Sequence, residues 1–380
     1  MARGKPVSAE KDAPIRVMVV DDSAVIRSFL TRFIEEDKNL KVSVTAGNGE
    51  VALSLLARQQ VDVLVLDIEM PVMDGLTALP LILKVDPDLQ VIIASTLTKE
   101  NAVITMKCLQ AGAAECLAKP QSQDMTSSDA FKRNLVEKVR TLGRLTRHRR
   151  RTSGRDMMAL KGEAAGNIVP RAEKKFSLRT ETVKLAPDVI AVGSSTGGPQ
   201  ALMQFFSDLK KPLRQPVLVT QHMPATFTAI LADHIAKQSG LVCREAVDGE
   251  MIRGGVIYIA PGNYHMTVVQ EGLQKKISLN QEPPENFCRP AVDPMLRSLV
   301  SAYGKKILAV ILTGMGADGK KGCEAVIDAG GMVLAQDETT SVVWGMPGAV
   351  AMAGLCTKVM PLGLMAQEVR GYADKTGGVS

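Results

Sequence analysis

The sequence predicts two doubly wound α/β domains in tandem, and three observations carry that prediction. Short apolar runs alternate with amphipathic stretches over the first 120 residues, and a second alternation starts at Asp188. The segment between them is dominated by charge, Ser, Thr and Gly. Acidic, hydroxyl and glycine residues stand directly after the apolar runs, where doubly wound sheets place their functional groups.

In the first domain the runs Ile15–Val20, Lys41–Ala46, Val61–Leu66, Val91–Ser95 and Glu115–Ala118 read as five strands. Ala24–Glu36, Gly49–Gln59, Gly75–Asp86 and Glu100–Ala111 carry the helical period between them. A helix over Asp129–Leu145 and a flexible basic linker follow. Strand candidates in the second domain are Asp188–Val192, Pro216–Thr220, Val256–Ile259, Lys306–Thr313 and Met332–Ala335. A helix is expected over Phe227–Gln238. The domain expectation is therefore 14–132, a helix and linker over 133–186, and 187–375.

Composition narrows the function. No apolar run approaches the roughly 20 residues of a membrane span, so no membrane insertion is expected. Met1–Pro14 lacks the apolar centre of a signal peptide. Six scattered cysteines form no C-x-x-C pair, which argues against zinc or a disulfide framework and for a reducing cytoplasm. Much of the net charge of +6 sits in Arg144–Arg155, with more in Arg171–Lys175, as expected of a solvated tether. Aromatic residues are 3% of the chain, too few for base-stacking platforms, so no nucleic-acid partner is expected.

At the strand ends of the first domain, Asp21 and Asp22 follow the first strand and Asp67 follows the third. Three converging carboxylates repel one another unless a hard cation such as Mg²⁺ joins them. Lys119-Pro120 offers a countercharge and Ser95 a hydroxyl.

In the second domain, Gly193-Ser194-Ser195-Thr196-Gly197 has the G-x-S-x-G spacing of a nucleophile elbow, presenting Ser195 at a strand-to-helix turn. The chain has four histidines, of which His222 and His265 are candidate bases; His148 and His234 fall in the linker and in a helix. Asp318, in Thr313-Gly314-Met315-Gly316-Ala317-Asp318-Gly319, is the candidate acid, with a helix N-cap as its alternative role. The same turn also reads as a dinucleotide fingerprint, with Asp337 downstream. A carboxylate inside the turn would repel a pyrophosphate. Pro199-Gln200 stands where a phosphate-cradling Walker loop needs Lys-Ser/Thr.

Asp21-Asp22, Asp67 with Met70-Pro71 and Asp74-Gly75, Ser95 and Lys119-Pro120 together resemble the receiver domain of two-component response regulators. The resemblance implies phosphorylation of Asp67 by a histidine kinase and Mg²⁺ held by Asp22, Asp67 and the Glu69 backbone carbonyl, with Asp21 nearby. Ser95 and Lys119 would engage the phosphoryl group. It departs at Cys116, where many receivers carry a switching aromatic.

The segments around Ser195, Thr220–Pro224, Tyr258–Gly262, Arg289–Asp293, Leu312–Gly319 and Gly345-Met346-Pro347 resemble the catalytic domain of chemotaxis protein-glutamate methylesterases. That likeness implies a Ser195-His222-Asp318 triad, with the Met315 N–H contributing to the oxyanion hole and Thr196 close by. No cofactor is implied for the ester reaction. The implied substrates are methyl-accepting chemoreceptors, the phosphoryl donor a chemotaxis histidine kinase, and the effect of phosphorylation an uncovering of the serine-bearing rim. A DNA-binding output and a non-catalytic adaptor are the competing classes.

Overall fold

The computed structural model describes residues 13–96, 98–119, 125–159, 176–180 and 186–375. Pro120, the basic cluster Arg171–Lys175 and most of the sequence-read linker and N-terminus lie outside the described residues. The chain forms two compact units, Met1–Ile168 and Val169–Ser380.

The first unit runs β1 (Ile15–Val20), α1 (Ala24–Glu35), β2 (Leu40–Ala46), α2 (Gly49–Leu56), β3 (Val63–Asp67), α3 (Gly75–Val85), β4 (Gln90–Ser95), α4 (Lys99–Gln110), β5 (Glu115–Ala118) and α5 (Met125–Ala159). The five strands are parallel, in the order β2-β1-β3-β4-β5. The order reverses between β1 and β3, so the loops after these strands diverge and leave a crevice. Asp21, Asp22 and Asp67 stand at that crevice. Each of the first four helices begins on a side-chain cap: Ser23, Asn48, Asp74 and Thr98 accept amide protons from their first turns.

Helix α5 corrects the sequence reading. It continues to Ala159, through most of the basic run taken for a solvated tether. Phe131, Leu135, Val139, Leu142 and Thr146 form its buried stripe, at the three- and four-residue spacing of one helix face. Beyond the stripe, Arg147 and Arg150 reach Asp62, which Arg16 also pairs. Arg150 bonds Asp86 as well. Asp62 is wholly buried. Burial alone would raise its pKa, but the hydrogen bonds from Arg16 and Arg147 outweigh that and hold it below the usual carboxylate value.

The second unit runs β6 (Val189–Ser194), α6 (Gly198–Leu209), β7 (Val217–Gln221), α7 (Ala225–Ser239), β8 (Val242–Glu245), β9 (Val256–Ile259), β10 (His265–Glu271), β11 (Gln274–Asn280), α8 (Val292–Tyr303), β12 (Ile307–Ile311), α9 (Lys320–Asp328), β13 (Met332–Gln336), α10 (Met346–Met352), β14 (Lys358–Met360) and α11 (Leu362–Ala373). Seven parallel strands form one sheet, β14-β13-β12-β6-β7-β9-β8, while β10 and β11 pair as an antiparallel hairpin. The central strands β6, β7 and β12 are buried throughout, as near-continuous apolar runs require. Helix α6 buries Ala201, Leu202, Phe205, Phe206 and Leu209, with each Leu or Phe contributing about 1.5–3 kcal/mol.

The first strand of this unit is central. Its neighbours are β7, formed next in sequence order, and β12, formed about a hundred residues later. The chain end of β6 is thus the switch point of the second sheet, and Ser195 follows it directly.

Candidate active site

Ser195 is held by backbone bonds on both sides of that switch point. Its N–H donates to Thr313 O (3.0 Å) beyond β12, and its carbonyl accepts from Gly198 N–H (2.7 Å) and Gln221 Nε2 (2.9 Å). His222 N–H donates to Ser194 O at 3.1 Å, which fixes the histidine on the neighbouring strand end. Ser194, next to Ser195, donates its Oγ–H to Gln221 Oε1 (2.7 Å). The turn differs from a strained elbow centred on serine. The left-handed residue is Gly197, at φ 75°, and Ser195 is not among the residues with positive φ. Gly198 is needed for a separate reason, because a Cβ there would lie 1.9 Å from Gln221 Oε1.

Asp318 sits in the turn between β12 and α9, almost fully buried. Its Oδ2 lies 2.7 Å from His222 Nε2 and accepts from Val292 N–H (2.6 Å). Its Oδ1 accepts from Asn286 Nδ2 (2.8 Å), Gly319 N–H (2.9 Å) and Asp293 N–H (3.2 Å). Burial opposes ionisation, but His222 and the backbone donors reverse it and lower the carboxyl to about 2. The neighbouring Asp293 is shifted the other way, by burial first and by the Asp318 charge; Gly322 N–H and Asn286 partly offset both. Asp318 is therefore not the N-cap of α9, whose first turn starts from Gly319 without a side-chain cap.

An ionised acceptor at Nε2 selects the Nε2–H tautomer, so Nδ1 carries the lone pair. That nitrogen lies 3.3 Å from Cys288 Sγ. Among the described residues, the Ser195 hydroxyl makes no hydrogen bond to the ring in this arrangement. Burial disfavours the imidazolium, but Cys288 and Asp318 outweigh it and pull His222 up to about 10.

The Met315 N–H has no hydrogen-bond acceptor among the described residues, and Gly314 beside it packs so closely that an added Cβ would lie 2.9 Å from Ser195 Cβ. Thr196 is buried next to Ser195, its carbonyl accepting from Thr313 Oγ1 (2.9 Å). His265 is elsewhere employed: Nε2 meets Pro283 O at 3.1 Å and Nδ1 accepts from Ala291 N–H at 3.2 Å, so both nitrogens brace the loop before α8. The dinucleotide alternative fails on the same geometry, since Asp318 takes up the Gly319 amide that a pyrophosphate would need. Sequence reasoning missed Asn286, Asp293 and Cys288 as parts of this site; the nearest signal was the Arg289–Asp293 segment.

In the receiver crevice, ligand oxygens of Asp21, Asp22 and Asp67 lie within 4.8 Å of one another. Lys119 Nζ bridges Asp21 Oδ2 and Asp67 Oδ1, each at 2.7 Å. Burial and the Asp21 charge raise the Asp67 pKa in spite of Lys119. Lys119 itself is raised, its two carboxylate partners overcoming the burial that opposes its charge. Three carboxylates against one ammonium leave a net negative oxygen cluster, a donor set that suits a hard divalent ion. The Glu69 carbonyl accepts no hydrogen bond among the described residues, while its side chain accepts from Asn101 Nδ2 at 3.0 Å. Ser95 ends β4 beside Asp67, with its hydroxyl turned to Thr96 O (3.2 Å). Cys116 is buried in β5, so no aromatic ring stands at that position.

Residues 190–369 match the family model described as CheB methylesterase, and residues 17–128 that of the response regulator receiver domain. A Rhodospirillum rubrum protein-glutamate methylesterase/protein-glutamine glutaminase 1 is 53% identical, with 95% of this chain and 96% of the relative covered. The Azospirillum brasilense protein-glutamate methylesterase/protein-glutamine glutaminase is 51% identical, with 98% and 96% covered. A Rhodospirillum centenum relative with that name, of a group 2 operon, is 53% identical, with 92% and 91% covered.

Proposed function

The chain belongs to the CheB methylesterase family, with a receiver ahead of the catalytic unit, and on that premise we propose how it works as a protein-glutamate methylesterase and protein-glutamine glutaminase. The observation that carries the reading is Asp318 fixing Nε2 of His222 on the rim beside Ser195, which leaves Nδ1 as the basic atom. The Ser195 hydroxyl gives its proton to Nδ1 as Oγ attacks the side-chain ester carbonyl. The oxyanion accepts from the Met315 N–H, a donor with no competing acceptor among the described residues. Methanol leaves with the proton from Nδ1, or ammonia when the substrate is a glutamine. Water, deprotonated by His222, then hydrolyses the acyl-enzyme and frees Ser195. The substrates on this reading are chemoreceptor glutamates and glutamines in the cytoplasm, where the six free cysteines stay reduced. No helix among the described residues is long and apolar enough to cross a membrane.

Control is assigned to the receiver. Asp67 is the phosphoryl acceptor, and Asp22, Asp67 and the Glu69 carbonyl, with Asp21 nearby, would hold Mg²⁺. Bound there, the ion neutralises charge on the phosphoryl oxygens. Lys119 and Ser95 then contact the phosphoryl group donated by a chemotaxis histidine kinase.

The test is methanol release from methylated receptor membranes. Ser195→Ala should abolish release and labelling by a fluorophosphonate while leaving the unfolding midpoint in place; an active Ser195→Ala enzyme sinks the assignment. A phosphoryl donor should raise the rate, and Asp67→Asn should remove that rise. Deleting residues 1–185 should raise basal activity, and an isolated catalytic unit no faster than the intact unphosphorylated chain would refute control by restraint.

A further inference from the structure

Cys288 is partly exposed, whereas the other five cysteines are buried. Its Sγ lies 3.3 Å from His222 Nδ1, the atom the serine needs, while Nε2 is already taken by Asp318 at 2.7 Å. Thiol, imidazole and carboxylate therefore form a continuous chain of contacts that bypasses Ser195.

The turn carrying Cys288 is built rather than loose. Glu285 and Cys288 exchange backbone hydrogen bonds of 3.1 and 2.9 Å. Between them, Asn286 and Phe287 take positive φ of 51° and 62°, a strained conformation for a bulky residue. Asn286 Nδ2 ties the turn to Asp318 Oδ1 (2.8 Å) and Asp293 Oδ2 (3.0 Å). Phe287 at the tip is 86% exposed.

We propose that Cys288 is a positioning residue of the hydrolytic site, a resting partner that engages Nδ1 of His222 in competition with the Ser195 hydroxyl. The proton leaves Sγ as the Nδ1–H bond forms, giving a thiolate–imidazolium pair with no change of oxidation state. A base held as imidazolium cannot take the serine proton. Catalysis then requires the strained turn to withdraw the thiol, which returns the proton and frees Nδ1. This rests on His222 being the general base.

The charges around the pair favour the imidazolium. Asp318 faces it from the turn after β12, while the Asp293 carboxylate at the start of α8 is taken up by Asn286 Nδ2 and Gly322 N–H. Arg297 of α8 is paired with Glu285, and Arg289 Nη1 is committed to the carbonyls of Gln281 and Glu282. Among the described residues, the chain ends of β6 and β7 bring the neutral Ser194, Ser195 and Gln221. The upward displacement of His222, which acts against burial, agrees in direction.

The test is iodoacetamide alkylation of Cys288 in the native full-length protein, followed across pH by peptide mass mapping. The pair predicts that Cys288 is alkylated several-fold faster at neutral pH in the wild type than in His222→Gln, with Ser195→Ala matching the wild type. In methanol release, Cys288→Ala should move the acid limb of the kcat profile down by about one unit or more, making the enzyme faster at neutral pH. A Cys288 alkylation rate at neutral pH that His222→Gln leaves unchanged overturns the proposal, as does an acid limb that Cys288→Ala leaves in place. Alkylation needs no turnover, so a failure of the esterase reading registers separately, as absent methanol release.

Discussion

Replacing Asp318 by asparagine tests the site through hydrogen-bond polarity alone. All five contacts of the carboxylate come from donors: His222 Nε2 and Val292 N–H at Oδ2, and Asn286 Nδ2, Asp293 N–H and Gly319 N–H at Oδ1. An amide must turn its NH₂ toward one of these sets. Facing the Oδ1 set would oppose three donors, so the amide nitrogen takes the Oδ2 position. There the imidazole can satisfy it only by becoming an acceptor at Nε2, which moves the proton to Nδ1 and removes the base. A triad amide that traps the wrong tautomer lowers kcat about 10⁴-fold, equivalent to about 5.5 kcal/mol of barrier. The Val292 N–H left opposite the amide costs about 1–3 kcal/mol of stability, which a thermal melt will register as a shift rather than a loss of the transition. The assay is methanol release under saturating methylated receptor, with fluorophosphonate labelling as a second readout. An Asp318→Asn enzyme that folds and keeps more than about a tenth of kcat would refute the tautomer argument.

Other expectations follow from neighbouring geometry. His265→Ala should lower the melting temperature, because His265 braces Pro283 O and Ala291 N–H, yet retain substantial activity; a loss equal to that of His222→Ala would return His265 to candidacy as the base. Gly314→Ala should depress activity while preserving most of the fold, since the new methyl would lie 2.4 Å from Met346 Sδ and 2.9 Å from Ser195 Cβ; unchanged kcat would mean the rim is looser than drawn. Asp62→Ala should destabilise the first unit by an amount at the low end of the roughly 3–5 kcal/mol for a broken buried pair, because Arg16, Arg147 and Arg150 still reach solvent. With its folded pKa depressed, Asp62 contributes stability above its unfolded value of about 3.9, lost as pH falls through the folded pKa. Receiver melts that show no difference in acid sensitivity between wild type and Asp62→Ala would contradict this.

Many of the apolar strands were legible because their signal is local. β1, β5 and β9 coincide with the runs read from the sequence, and Asp67, Ser195 and Asp318 announce themselves by following such runs. The strands that escaped, β8, β10, β11 and β14, lie at sheet edges or in a hairpin, where exposure removes the apolar pattern. The basic run from Arg144 looked solvated, since nothing near it in sequence shows that Asp62, more than eighty residues earlier, is buried and waiting for Arg147. Residue types and order alone thus determined the two sheets, the acid cluster and the serine at its turn. Only the tertiary structure decided that Asp318 takes Nε2, that His265 is a brace, and that Cys288 meets Nδ1. Those facts depend on desolvation and charge supplied by segments tens of residues apart, and such through-space terms leave no period or spacing in the chain.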